Sequence, residues 1–98
     1  MKGVGGKIIE SVSEVMGIEI DTFLSHTRKQ NVVAARIIAV RLIKELTCLG
    51  EHDIAELLNK NRASVHYYIG SFRPRYDYEP RFRIMYETCK KHIKEGML

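Results

Sequence analysis

A long amphipathic stripe is the feature of this sequence that most constrains its fold. Apolar side chains recur at intervals of three or four residues, at Val32, Ala35, Ala39, Leu42, Leu46 and Leu49. Because an α-helix completes one turn in 3.6 residues, this spacing places all of them on one face. The pattern therefore predicts a central core helix, with Asn31 as its N-cap and Gly50 at its end.

Shorter helical patterns flank this helix. Apolar residues recur at helical spacing in residues 8–16, 52–58, 62–72 and 80–94, and no segment sustains the alternation of a β-strand. Two prolines, Pro74 and Pro80, bracket a predicted loop. The expected fold class is therefore all-α, a compact helical bundle. Residues 1–7 contain three glycines and no pattern, so we expect a flexible tail there and one helical domain over residues 8–95.

The chain has the size and composition of one small globular domain. Of its 98 residues, 45% are hydrophobic and 29% are charged, which argues against disorder and leaves room for one core. No apolar run approaches the ~18 residues of a membrane span, and the N-terminus lacks the apolar stretch of a secretory signal. Two cysteines are too few for a disulfide framework. We therefore expect a cytoplasmic protein without membrane contact.

Neither catalysis nor a cofactor is expected. The sequence shows no nucleophile–base pair and no paired carboxylates suited to acid–base chemistry. Cys48 with His52, and Cys89 with His92, make up a ligand set that tetrahedral zinc accepts. Neither spacing is that of a zinc finger, so we expect both thiols to be buried as small apolar groups.

Positive charge is concentrated in two segments. The net charge is +4; residues 22–44 contain five basic residues and no acidic one, residues 45–59 are acidic, and residues 60–83 are again basic. If the two basic segments meet on one face of the domain, that face attracts polyanions such as nucleic acid. A solvated surface with uneven charge is the alternative interpretation.

Residues 53–69 fit a helix-turn-helix motif, in which two short helices cross steeply. Ala55 supplies the small residue needed at the crossing. The angle between the helices is filled by apolar residues at Ile54, Leu58, Val65 and Tyr68. Asn59 tolerates the left-handed conformation of the turn, and Asn61 is suited to cap the second helix. Lys60 departs from the pattern, since an apolar residue is common there; an ordinary helical hairpin is the alternative.

The second helix of such a motif enters the major groove of DNA, where its first residues meet base edges. We therefore predict a base-reading set of Asn61, Arg62, Ala63, His66 and Tyr67. Asn suits adenine and Arg suits guanine, because each pairing makes two hydrogen bonds. Phosphate contacts are predicted for the nearby polar and basic residues, which are Lys60, Ser64, Arg73 and Arg75.

Residues around these motifs resemble a known family. The matching segments are Phe23-Leu24-Ser25, Lys44-Glu45-Leu46-Thr47, Asp53-Ile54, Ser64-Val65 and Glu79-Pro80-Arg81-Phe82. They are similar to the C-terminal DNA-binding domain of DnaA, the bacterial replication initiator, within the TrpR-like helix-turn-helix superfamily. The resemblance covers residues 8–93. It implies an all-helical domain that binds short double-stranded boxes at a replication origin.

The resemblance also implies roles for residues outside the motif. A basic side chain of the loop, Arg28 or Lys29, enters the minor groove, and Arg36 and Lys44 contact phosphate. A narrow A·T-rich minor groove attracts such a cation. The family signature Arg-Asp-His-Thr-Thr-Val is replaced here by residues 61–65, Asn-Arg-Ala-Ser-Val, and the initiator's ATPase domain is not among these 98 residues.

Two other functions remain open from the sequence. Loss of the Asp-His pair favours a module that binds a protein partner or a second copy through Tyr67, Tyr68 and residues 76–78. Cations interleaved with aromatic residues over residues 73–83 are typical of surfaces that stack single strands. Salt-dependent retention on duplex DNA distinguishes a duplex binder from a protein adaptor.

Overall fold

The computed structural model describes residues 3–97 of the chain. Within these residues the chain forms six α-helices, which are α1 (Gly3–Met16), α2 (Ile20–Phe23), α3 (Gln30–Leu46), α4 (Glu51–Leu58), α5 (Arg62–Tyr78) and α6 (Pro80–Met97). No strand occurs in this part of the chain. The predicted all-α fold class is therefore confirmed.

Helix α3 is the centre of the bundle and packs against all five other helices. Its core face is wider than the predicted stripe, because Ile37, Ile38, Val40 and Ile43 are buried as well. The helix begins at Gln30, after an N-cap at Lys29, and ends at Leu46. Its end is set by Thr47, whose hydroxyl donates to the Ile43 carbonyl at 2.7 Å and accepts from the Leu49 amide at 3.1 Å.

Helices α4 and α5 form the helix-turn-helix. Asn59 adopts the left-handed conformation at φ 56° and ψ 44°, as predicted for the turn. Two backbone hydrogen bonds close it, from the Asn59 amide to the Glu56 carbonyl at 3.2 Å and from the Lys60 amide to the Ala55 carbonyl at 2.9 Å. Asn61 then caps α5, because its Oδ1 accepts from the Ser64 amide at 2.8 Å.

Helix α5 continues through Pro74, so the predicted loop at residues 73–80 is wrong. A proline inside a helix lacks an amide N–H and crowds the carbonyl four residues before it, here that of Gly70. Gly70 is exposed, so water can reach this carbonyl. Beyond the proline, aromatic packing holds the helix: the Phe72 ring lies 5.4 Å from that of Tyr76 and 4.8 Å from that of Tyr86 on α6. Tertiary contacts therefore override the local preference.

The N-terminal segment is helical from Gly3, so the predicted flexible tail is wrong over residues 3–7; Met1 and Lys2 lie outside the described residues. Gly5 is buried at the contact between α1 and α4. A Cβ atom placed there would lie 2.6 Å from Leu57 Cδ1 and 2.9 Å from Leu49 Cδ1. Close packing against these leucines, which glycine alone permits, therefore offsets its low helix propensity.

No helix within residues 3–97 is both long enough and apolar enough to cross a membrane.

Candidate nucleic-acid interface

Residues 24–29, here called the basic loop, connect α2 to α3 and wrap around the side chain of Arg36. This side chain is only 2% exposed. Its Nε donates to the Phe23 carbonyl at 2.9 Å, its Nη2 to that of Ser25 at 2.8 Å and its Nη1 to that of Thr27 at 2.7 Å. The predicted phosphate contact of Arg36 is therefore wrong, because its donors are occupied by the carbonyls of Phe23 and of the basic loop.

The basic loop is also held by its own side chains. The Ser25 hydroxyl donates to the Thr22 carbonyl at 2.7 Å and accepts from the Thr27 amide at 3.2 Å. The Thr27 hydroxyl in turn lies 3.4 Å from the Lys29 amide. These turns leave the two cationic side chains of the loop, Arg28 and Lys29, exposed to solvent.

The turn of the helix-turn-helix is tied to the basic loop. The Lys60 ammonium donates to the Ser25 carbonyl, and the Asn59 side-chain amide lies 3.4 Å from the Leu24 carbonyl. Burial, together with the neighbouring charge of Arg36, lowers the pKa of Lys60. One of the three ammonium donors is thus used inside the protein, and the predicted phosphate contact has to come from the others.

A groove of about 600 Å³ separates the basic loop from the first half of α5. We call it the loop–helix groove, and its lining residues are His26, Thr27, Arg28, Gln30, Val33, Arg36, Lys60, Asn61, Ala63, Ser64, Tyr67, Tyr68 and Arg75. None of these lining residues is acidic, and four of them are basic, namely Arg28, Arg36, Lys60 and Arg75. The two basic segments of the sequence therefore meet at one surface.

The groove contains most, but not all, of the residues predicted for the interface. Lys29 is exposed beside it, whereas Lys44 lines a separate hollow of about 220 Å³ together with Arg41 and Phe72. Arg73 does not line the groove, although Arg75 two residues later does, and it is paired with Asp77 at 3.5 Å. The structure therefore does not bring Lys44 or Arg73 into the groove.

The first residues of α5 differ in how free their side chains are. Tyr67 is 57% exposed at the groove. The Asn61 side chain is engaged as the cap of α5 through its Oδ1 atom, which limits the two-bond recognition of adenine predicted for it. Arg62 and His66 do not line the groove; both approach the carboxylate of Glu51 on α4.

Sequence reasoning missed Glu51, Gln30 and Thr27 at this surface. Gln30 and Thr27 line the groove because the basic loop folds back over the start of α3. Glu51 lies 11 residues before Arg62 in the sequence, and only the steep crossing of α4 and α5 brings the two together. No spacing pattern in the sequence indicates such a contact.

The predicted pairs of cysteine and histidine do not come together as a metal site in the part of the chain that the structure describes. Within the described residues, no three His, Cys, Asp or Glu side chains lie close enough together to hold one. Cys48 is exposed, contrary to expectation, whereas Cys89 is buried. Burial raises the pKa of the Cys89 thiol to about 11.

Comparison with protein families matches residues 6–71 to the family described as the bacterial DnaA protein helix-turn-helix. The match spans α1 to the middle of α5 and therefore includes the basic loop and the whole helix-turn-helix. The resemblance found in the sequence is thereby confirmed. No curated protein matches the chain significantly.

Proposed function

The chain belongs to the bacterial DnaA helix-turn-helix family, and on this premise we propose that it binds double-stranded DNA through the loop–helix groove and the exposed start of α5. The binding is sequence-selective. Its target is a short duplex site related to the boxes that initiator domains of this family recognise at replication origins.

The observation that carries this proposal is the electrostatic character of the groove. Cationic side chains from the loop, the turn and α5 line it, and no acidic side chain does. Such a surface attracts the phosphate backbone and releases its counterions. The alternative interpretation, an ordinary helical hairpin, does not explain why cationic side chains from three separate segments lie together at one surface.

The geometry suggests how the two grooves of DNA are read. The N-terminal turn of α5 is exposed and carries Ala63 and Tyr67 toward the major groove. On the other side of the loop–helix groove, Arg28 is exposed, and we expect it to enter the adjacent minor groove. Lys29, Lys60, Ser64 and Arg75 then contact phosphates between them.

Fluorescence anisotropy with three labelled probes tests the proposal. The probes are a duplex that contains a DnaA box, a scrambled duplex and a single strand, each titrated at several salt concentrations. We expect tightest binding to the box duplex, and an affinity that falls with salt. If Arg28, Lys29, Lys60 and Arg75 each neutralise one phosphate, the slope of log K against log salt is about −3.6.

Replacement of Arg28 with Ala should make this slope shallower by about 1. Arg81→Ala, on the exposed surface of α6, is the control and should leave it unchanged. Equal binding to both duplexes would support the proposed DNA binding but contradict the proposed sequence selectivity. Failure to bind any probe at low salt would contradict the proposal as a whole.

A protein-interaction module is the second candidate function. Tyr78 is 83% exposed and Ile84 is 65% exposed, and they lie at the end of α5 and on the first turns of α6. Exposed large apolar side chains are typical of contact surfaces for protein partners. Self-association in sedimentation experiments that is lost in Ile84→Lys, together with no binding to DNA, would favour this function.

A further inference from the structure

The carboxylate of Glu51 occupies an unusual place beside the recognition helix. Glu51 is the first residue of α4, and its side chain is 25% exposed. Its Oε1 atom lies 2.8 Å from Nε2 of His66 and 3.8 Å from Nη2 of Arg62. Both partners belong to the predicted base-reading set, yet both face an acidic group of the protein itself.

The Oε1 atom of Glu51 lacks a donor in this arrangement. This oxygen is buried and has no hydrogen-bond partner among the described residues, although Nε2 of His66 lies 2.8 Å away. A buried carboxylate oxygen without a donor is costly, and only His66 Nε2 lies within hydrogen-bond distance. A turn of the imidazole ring that points an Nε2–H at Oε1 would satisfy this oxygen.

This arrangement gives the two base-reading candidates different roles. Nε2 is the distal nitrogen of the imidazole ring, so its engagement with Glu51 removes the atom that reaches furthest from α5. Arg62, in contrast, faces the carboxylate at 3.8 Å with one nitrogen and is otherwise exposed. Its remaining donors are available for a base edge.

We propose that Glu51 is a positioning residue for base recognition: lying between His66 and Arg62, its carboxylate orients the guanidinium of Arg62 toward a guanine in the major groove. Arg62 is then the base reader and His66 supports the orienting group. Preorganisation of this kind lowers the entropic cost of the two hydrogen bonds that Arg makes with guanine. This inference rests on the proposed function, since it specifies how the same site selects its sequence.

If Glu51 positions Arg62, replacing Glu51 with Gln changes the affinity for the preferred duplex in one direction. If Glu51 merely repels DNA, the same replacement changes this affinity in the opposite direction. Glu51→Gln removes a negative charge close to DNA, which by itself strengthens binding to every duplex. If Glu51 orients Arg62, the same substitution weakens binding to the preferred duplex. The ratio of the affinity for the preferred duplex to that for a scrambled duplex therefore distinguishes positioning from charge repulsion.

The experiment begins with a preferred duplex selected by the wild-type protein from a random duplex library. Affinities for this duplex and for a scrambled one are measured with four proteins: wild type, Glu51→Gln, Arg62→Ala and the double variant. We expect Glu51→Gln to weaken binding to the preferred duplex about fivefold, without weakening binding to the scrambled duplex. The double variant should discriminate between the preferred and the scrambled duplex no worse than Arg62→Ala alone, because the two residues act together.

Glu56→Gln is the matched control, since Glu56 lies on the same helix and pairs with a histidine, His52, at 3.2 Å. Both of these side chains are strongly exposed, and the substitution should change both affinities equally. A second readout is the ¹⁵N spectrum of His66 in the free protein. It should show the Nε2–H tautomer in the wild type and a mixture of tautomers in Glu51→Gln.

Three results overturn the inference. Tighter binding of Glu51→Gln to both duplexes assigns Glu51 a purely repulsive role. An Nδ1–H tautomer of His66 in the wild type excludes the contact on which the positioning depends, while the proposed DNA binding stands. If the wild type binds no duplex at low salt, or selection returns no preferred site, the selective function fails and this inference fails with it.

Discussion

A single buried guanidinium determines the shape of the basic loop. Arg36 has no acidic partner in its hydrogen bonds; backbone carbonyls of residues 23, 25 and 27 accept from it instead. A buried charge is tolerated only when such partners satisfy its donors. The loop therefore depends on Arg36, and Arg36 can stay buried only because the loop surrounds it.

Arg36→Met should be strongly destabilising, because it keeps much of the volume of the side chain but leaves three carbonyls without a donor. We expect the free energy of unfolding to fall by about 3 kcal/mol, measured by chemical denaturation. Arg28→Met, in the same loop but exposed, is the control and should change stability by less than about 0.5 kcal/mol. Equal stability of the two variants would show that the loop's own turns suffice to hold it.

A second charged group, Glu45, joins α3 to α6. The Tyr86 hydroxyl donates to its Oε1 at 2.6 Å, Arg41 Nε donates to its Oε2 at 2.7 Å, and Lys90 Nζ lies 3.6 Å away. Burial alone would raise the pKa of this carboxyl. The two hydrogen bonds and the neighbouring cations outweigh burial, so the pKa lies below its ordinary value.

The stability that Glu45 contributes should depend on pH. Because its pKa is lower in the folded state, this contribution is complete above the unfolded pKa of about 4.3 and disappears as the pH falls through the folded pKa. Glu45→Gln should cost about 1 kcal/mol at pH 7 and progressively less at acid pH, as measured by unfolding at several pH values. Glu14→Gln, at an exposed site, is the control, and its effect on the free energy of unfolding should not change with pH.

At the scale of elements, periodicity predicted most helices but not their limits. The stripe from Val32 correctly indicates a central helix. This helix ends at Leu46, three residues before the last residue of the stripe, because the Thr47 hydroxyl bonds to the Ile43 carbonyl. Periodicity does not reveal such a single side-chain hydrogen bond. The position of Asn59 in the turn is predictable, because its tolerance of positive φ is a property of the residue itself. The burial of Arg36 is not predictable, because it depends on carbonyls 9 to 13 residues away in the sequence.

Pro74 provides a test of how tertiary contacts override local preference. It lies inside α5, where proline costs up to about 3 kcal/mol relative to alanine. Pro74→Ala should therefore stabilise the protein by about 1 to 3 kcal/mol in thermal or chemical unfolding. Pro80 is the matched control: it begins α6, where no intrahelical hydrogen bond is lost, and Pro80→Ala should be nearly neutral. A destabilised Pro74→Ala variant would mean that Pro74 itself is needed for the aromatic contacts of α5.

At the scale of the whole molecule, one core joins all six described helices. It extends from Ile8 and Ile9 on α1, through α3, to Cys89 and Ile93 on α6. Helix α6 lies entirely outside the residues matched to the family, yet it packs against α1, α3 and α5. We therefore expect the chain to unfold as one cooperative unit.

The two thiols can report this cooperativity. Cys48 is exposed, whereas Cys89 is fully buried and its pKa is raised to about 11. With a disulfide reagent such as Ellman's reagent at pH 8, Cys48 should react at once and Cys89 only at the rate of global unfolding. The rate for Cys89 should therefore follow the unfolding rate measured by circular dichroism. Rapid reaction of both thiols would show that α6 detaches independently.

The tie between the turn and the basic loop has a consequence for the spacing of any target site. Lys60 and Asn59 hold the loop through the carbonyls of Ser25 and Leu24, which fixes the position of the loop relative to α5. In B-DNA, each inserted base pair rotates one groove by about 34° relative to its neighbour. A target with one extra base pair between its minor-groove and major-groove halves would thus be out of phase, and the protein could engage only one half at a time.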